Sequence, residues 1–246
     1  MNDTKIGGQP KERPILFSAP MVRAIPDNRK TQTRRVVKPQ PPDGKYLYSA
    51  HQGNESTRAS LRNTLGWFEE IAGDLWPCNE SERIKVPYAQ GDRLYVKEAA
   101  WMFCERQPNG ITATGKQKWM YIPLRSAPIF YAADHPGKPD QVIEHCNTGN
   151  EYCWRYKTAR FLPRYASRIT LLVKAVRVER LQDISGMDAR REGVTIPAHI
   201  PADGADLDCA RREFSTLWDS LNAKRPGCSW TDNPWVWVVE FERLTA

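Results

Sequence analysis

Residues 24–35, Ala24-Ile25-Pro26-Asp27-Asn28-Arg29-Lys30-Thr31-Gln32-Thr33-Arg34-Arg35, pass from a short helix into a strand and carry two threonines among four cations. Upstream, Ser18 offers an N-cap and Pro20 lies near the first helical position. Met21, Val22 and Ile25 supply the apolar side of that helix, and Pro26-Asp27-Asn28 stops it. Before it, Pro14-Ile15-Leu16-Phe17 reads as a strand, and residues 1–13 read as a loose polar tail. After it, Arg29 to Lys38 is β-branched and alternating. In a strand, successive side chains point to opposite sides, so Thr31, Thr33 and Arg35 share one face.

Farther out, Pro39 to Pro42 breaks this strand and residues 43–90 read as an insertion, with a helix predicted from Thr57 to Ile71. Gly91-Asp92 is a turn signal before the strand Arg93 to Glu98. Lys118 to Ile122 and Ile129 to Ala133 read as two further strands, and residues 134–157 as a surface loop within a second insertion, 99–160. Ser167 to Arg180 is the strongest strand signal. Ser185 can then cap a short helix, with Asp188 three residues later and Gly193 ending it. Leu207, Ala210, Phe214, Leu217 and Leu221 have helical spacing from Asp206 to Asn222, with Trp218 widening the apolar face. Trp235 to Glu242 makes the last strand. Short strands with few helices predict an α+β fold, a small β-barrel with flanking helices and long inserted loops, in one domain over 14–246.

The 246 residues are 40% hydrophobic and 26% charged, enough apolar content to bury a core. Mean hydropathy is −0.63, and no stretch reaches the ~18 unbroken apolar residues of a membrane span. The first residues lack the apolar region of a secretory signal, so a cytoplasmic protein without a membrane partner is expected. Phosphate-loop, dinucleotide and zinc-protease motifs are absent. Six cysteines without a C-x-x-C pair read as reduced thiols; His145-Cys146 with Cys153 looks only faintly like part of a zinc site, and neither metal nor cofactor is expected. The net charge of +7 is concentrated: residues 1–45 carry +6 and residues 155–180 carry +7, leaving −6 for the rest. Two basic segments in an otherwise acidic chain point to a polyanion.

Three pieces together resemble the ASCH family, a branch of the PUA-like β-barrels, and most of all its longer phage and prophage members. Residues 24–35 are similar to the family's entrance motif I-x-x-G-x-K-T-x-T-x-R, with Asn28 where the family has Gly. Asn tolerates left-handed backbone better than most residues. Gly91-Asp92-Arg93-Leu94-Tyr95-Val96 resembles the family's G-D-x-[LI]-x-V strand, and Ala189 to Gly193 its A-x-x-E-G helix. The resemblance implies a cleft that meets a nucleic acid or a modified nucleobase, RNA ahead of DNA. In members that hydrolyse N4-acetylcytidine, the matching positions are Lys30, Thr33 and Glu192. The resemblance gives Lys30 the part of base, Thr33 that of nucleophile and Glu192 that of proton shuttle. Arg29, Thr31, Arg34 and Arg35 would contact the substrate. If an enzyme, the chain would be a hydrolase, cleaving an amide on a modified cytidine or cleaving RNA.

Trp154 to Tyr165 interleaves cations with aromatics, a pairing in which rings stack bases while cations track phosphates. Arg155, Tyr156, Lys157, Arg160, Arg164, Tyr165 and Arg168 are therefore candidate nucleic-acid contacts, while Trp101, Trp119, Trp235 and Trp237 read as core. The competing roles are a non-catalytic RNA- or DNA-binding module, and a phage protein that engages a host protein through its insertions.

Overall fold

The computed structural model describes residues 10–40, 46–48, 64–71, 74–77, 84–85, 87–135, 137, 139, 151–197 and 205–244. In chain order these begin with β1 (Glu12–Leu16), α1 (Ala19–Ala24), β2 (Gln32–Val36), β3 (Tyr46–Tyr48), β4 (Thr64–Ile71), β5 (Asp74–Pro77) and β6 (Ile84–Lys85). There follow β7 (Arg93–Lys97), β8 (Ala100–Ile111), β9 (Gln117–Pro123), β10 (Ile129–Tyr131) and β11 (Glu151–Lys157). The last elements are β12 (Thr170–Arg180), α2 (Gly186–Arg191), α3 (Ala205–Asn222) and β13 (Trp235–Leu244). No helix among the described residues is long and apolar enough to cross a membrane.

The principal sheet runs β1-β7-β12-β13-β2; β1 and β7 are parallel and the other neighbours antiparallel. Its centre is buried on both faces, which accounts for the unbroken apolar run Trp235-Val236-Trp237-Val238-Val239 in β13. On one face Ile15, Phe17, Val96, Leu171, Val239 and Phe241 form a core. On the other, Val236 and Val238 pack against Ala189 of α2 and Ala210, Phe214 and Trp218 of α3.

This sheet is open among the described residues, whereas the sequence led to a closed barrel. The edge strands β1 and β2 are joined by a side chain in place of a ladder. The Arg35 guanidinium donates to the Leu16 carbonyl at 2.8 Å and lies 5.6 Å from the Phe17 ring centroid. The predicted tail also ends earlier than expected. β1 begins at Glu12, and the Lys11 N–H donates to Asp92 while its carbonyl accepts from Arg93, so order precedes Pro14.

The insertions are β-structured where described. β8 pairs with β9, β10 and β11, and Ala100, Met102 and Cys104 pack against Leu162 and Ala166. Sequence reading placed no strand at Ala100–Ile111 and a loop over β11. The turn formers Pro108-Asn109-Gly110 mask the first, and β11 alternates aromatics with cations so that no polar–apolar period stands out. Thr64–Ile71 is a strand, paired with β3, β5 and β6, where a helix was predicted. Trp67 and Phe68 favour a strand and Gly66 disfavours a helix; residues 57–63 lie outside the described part.

Gly193 follows α2 at φ 84°, and a Cβ there would lie 2.9 Å from the Lys30 Cβ. That approach seats the end of α2 on the strand entrance. Gly227 has φ 67° with open space around it. Gly193→Ala is expected to cost about 2–5 kcal/mol, strain plus overpacking, and Gly227→Ala only about 1–2 kcal/mol of strain. Denaturant unfolding of both variants checks this; equal losses would contradict the tight seating.

Candidate functional site

Backbone geometry brings residues 30–34 against α2. Asn28 adopts φ 54°, the left-handed turn conformation after α1, and the Ala24 carbonyl accepts the N–H groups of Arg29 and Lys30, both at 3.0 Å. An isolated antiparallel bridge then pairs Lys30 with Glu192. The Thr31 N–H donates to Arg191 at 2.9 Å, and its carbonyl accepts from Phe241 at 2.8 Å. At the other end of α2, Ser185 Oγ accepts the Asp188 N–H at 3.0 Å, the cap the sequence predicted.

Lys30 is wholly buried, and its three donors meet three acceptors: Glu192 Oε2 at 3.0 Å, the Glu192 carbonyl at 2.7 Å and the Gln32 carbonyl at 3.0 Å. The other carboxylate oxygen, Glu192 Oε1, accepts from Arg34 Nη1 at 3.1 Å. Arg34 is equally buried; its Nε and Nη2 donate to Glu179 at 2.8 and 2.6 Å. Arg177 adds bonds to Glu179 at 3.3 Å, to Asp188 at 2.9 Å and to Glu240. The buried cations Lys30 and Arg34 are thus embedded among Glu192, Glu179 and Asp188, as buried charge requires, and the partly exposed Arg177 extends the cluster to Glu240. Burial pushes the Lys30 ammonium below the ordinary lysine range, with Glu192 opposing and Arg35 and Arg34 reinforcing the shift.

A cavity of about 350 Å³ opens above this cluster. Thr33, Arg34 and Glu192 line it together with Phe17 and with Phe214 and Trp218 of α3. Lys30 does not line it. The structure therefore joins Lys30 to Glu192 across 162 positions of sequence and opens Thr33 and Glu192 to one cavity, but keeps the ammonium behind the carboxylate.

The remaining predicted contacts divide. Arg35 lines the same cavity, while Thr31 is a backbone splice outside it. Arg29 is exposed, pairs with Asp27 at 3.0 Å, and lines a separate cavity of about 520 Å³ with Arg190 and Arg191. Arg34 is a clamp for carboxylates: its donors serve Glu179 and Glu192, with Asp188 at 3.4 Å.

None of Arg155, Tyr156, Lys157, Arg160, Arg164, Tyr165 and Arg168 lines the Thr33 cavity. Arg155 stacks 3.9 Å above the Tyr121 ring, Arg164 pairs with Glu12, and Arg168 with Glu98 and Asp134. Tyr156, Phe161 and Tyr165 remain 50%, 69% and 42% exposed. Trp119, expected in the core, is 38% exposed with the Arg106 guanidinium 3.7 Å from its ring.

Sequence reading missed Phe214 and Trp218 as cavity walls, although their i,i+4 spacing on α3 was visible; it gave them only to the core. Cys104, Cys153, Cys209 and Cys228 are free, and no metal-ligating cluster occurs among the described residues; His145 and Cys146 lie outside them. Compared with family models, curated proteins and solved structures, the chain matches none.

The Lys30 shift makes a pH prediction. With a folded pKa below the unfolded value, the unfolded chain binds more protons between the two, so stability from this group rises with pH up to about 10.4. Tyr131 and Tyr165, pushed up by burial, act in the opposite sense near that pH, so the readout is a difference. The stability of wild type minus that of Lys30→Met is expected to increase as pH rises toward about 10.4. A difference that is flat or falling contradicts the lowered ammonium.

Proposed function

We propose that the chain is an ASCH-type, PUA-like protein that binds a modified nucleobase in the Thr33–Glu192 cavity and hydrolyses an amide on it, in the cytoplasm. The observation that carries this reading is a buried, doubly held carboxylate that lines one cavity with a threonine. Aromatic walls suit a flat heterocycle, and the polar lining offers hydrogen-bonding groups to its edges.

In the reaction, Thr33 Oγ attacks the acyl carbon and its proton passes to Glu192. Glu192 returns that proton to the nitrogen of the cytosine as the C–N bond breaks, leaving an ester on Thr33. Water then hydrolyses the ester, with Glu192 taking the proton and Thr33 regaining it. Lys30 reaches the reacting atoms only through Glu192, 3.0 Å away, so the base that the family resemblance gives to Lys30 falls here to the carboxylate. Lys30 and Arg34 hold that carboxylate in one orientation.

A second reading, RNA binding without turnover, is favoured by the exposed Tyr156, Phe161 and Tyr165 beside cations. Incubation with N4-acetylcytidine, followed chromatographically, separates the two. The hydrolase releases cytidine, and Glu192→Gln and Thr33→Val each lower turnover about 10²–10⁴-fold. Full turnover in Glu192→Gln contradicts the mechanism. No turnover, with salt-sensitive retention of single-stranded RNA, supports the binder.

A further inference from the structure

Among the residues lining the cavity Arg34 is balanced by Glu192, but three further cations are not. Arg35, Lys38 and Arg225 all line the cavity, and Glu192, already held by Lys30 and Arg34, is the sole carboxylate among its lining residues. Arg35 directs one amino group to the Leu16 carbonyl. Among the described residues the side chains of Lys38 and Arg225 have neither an ion-pair nor a hydrogen-bond partner. Elsewhere Arg164, Arg168, Arg177 and Arg190 each rest on a carboxylate. Two cations that face one cavity from separate elements, one past β2 and one past α3, thus present open donors to an anion from outside.

The apolar part of the lining is Leu217, Leu221, Trp218 and Phe214 of α3, together with Phe17. Leu221 is 51% exposed, apolar surface beyond what the core uses. Lys38, Leu221 and Arg225 are exposed, whereas Phe17, Thr33, Arg34, Glu192, Phe214 and Trp218 are buried, so cations and apolar surface meet at the mouth of the cavity. A volume of about 350 Å³ is at the small end of ligand pockets, ~300–1,000 Å³, and admits one monomer unit.

We infer that the cavity takes a phosphorylated nucleotide, its base in the apolar part of the cavity and its phosphate at Lys38 and Arg225. This rests on the nucleobase reading of the same cavity and narrows its substrate class from a nucleoside to a nucleotide, free or within a strand.

Calorimetric titration at fixed salt compares N4-acetylcytidine, its 5′-monophosphate and a short single-stranded RNA containing one N4-acetylcytidine. The monophosphate is expected to bind about tenfold more tightly than the nucleoside. In the Lys38→Gln/Arg225→Gln double variant, both positions being exposed, that ratio falls to about one. RNA binding tighter than the monophosphate assigns the phosphate to a strand; equal or weaker RNA binding assigns it to a free nucleotide, and either supports the inference. A ratio near one in the wild type, or a preference that survives in the double variant, overturns the phosphate seat and leaves the nucleobase reading standing. Failure of all three ligands to bind the wild type overturns both.

Discussion

A carboxylate buried between two cations is the constraint on which the site depends. Glu192 is almost wholly inaccessible, and so are the side chains of Lys30 and Arg34 that hold its two oxygens. Charges so placed survive only when paired and hydrogen-bonded, because desolvation costs several kcal/mol per ion. Lys30 meets that requirement with three acceptors, two of them backbone carbonyls that only this junction of strand entrance and helix end supplies. The local fold and the ion cluster therefore specify one another.

The wider architecture serves the same junction. α2 must end in a residue that tolerates positive φ with no side chain against Lys30, which is why Gly193 follows Glu192. The turn before Lys30 needs left-handed backbone, and Asn28 supplies it. Gly186 lets α2 approach α3 closely, since a Cβ there would lie 2.5 Å from that of Leu207. α3 in turn carries Phe214 and Trp218, which belong to the core and also line the cavity.

Local signals in the sequence went far with this arrangement. The Ser185 cap, the glycine after Glu192 and the helical spacing of α3 were each readable from a few neighbouring residues, because capping and periodicity are local physics. That Lys30 and Glu192 meet was legible only through the family resemblance, since nothing local links positions 162 apart. Arg34 was read as a substrate contact because its partners, Glu179 and Asp188, sit on other elements and give no sign at position 34. Likewise the excess charge of residues 155–180 suggested a polyanion surface, but Arg168 and Arg177 are neutralised by Glu98, Asp134, Asp188 and Glu240 drawn from distant segments. Net charge along a chain says nothing of which opposite charges fold onto it.

A double-mutant cycle on Lys30 and Glu192 tests the central coupling most directly. Stabilities of wild type, Lys30→Met, Glu192→Gln and the double variant are measured by denaturant unfolding at neutral pH. The account predicts that the second substitution costs less once the first is made, with a coupling of about 1–3 kcal/mol. Losses that add to within about 0.5 kcal/mol would mean that ammonium and carboxylate do not depend on each other, and would contradict the account.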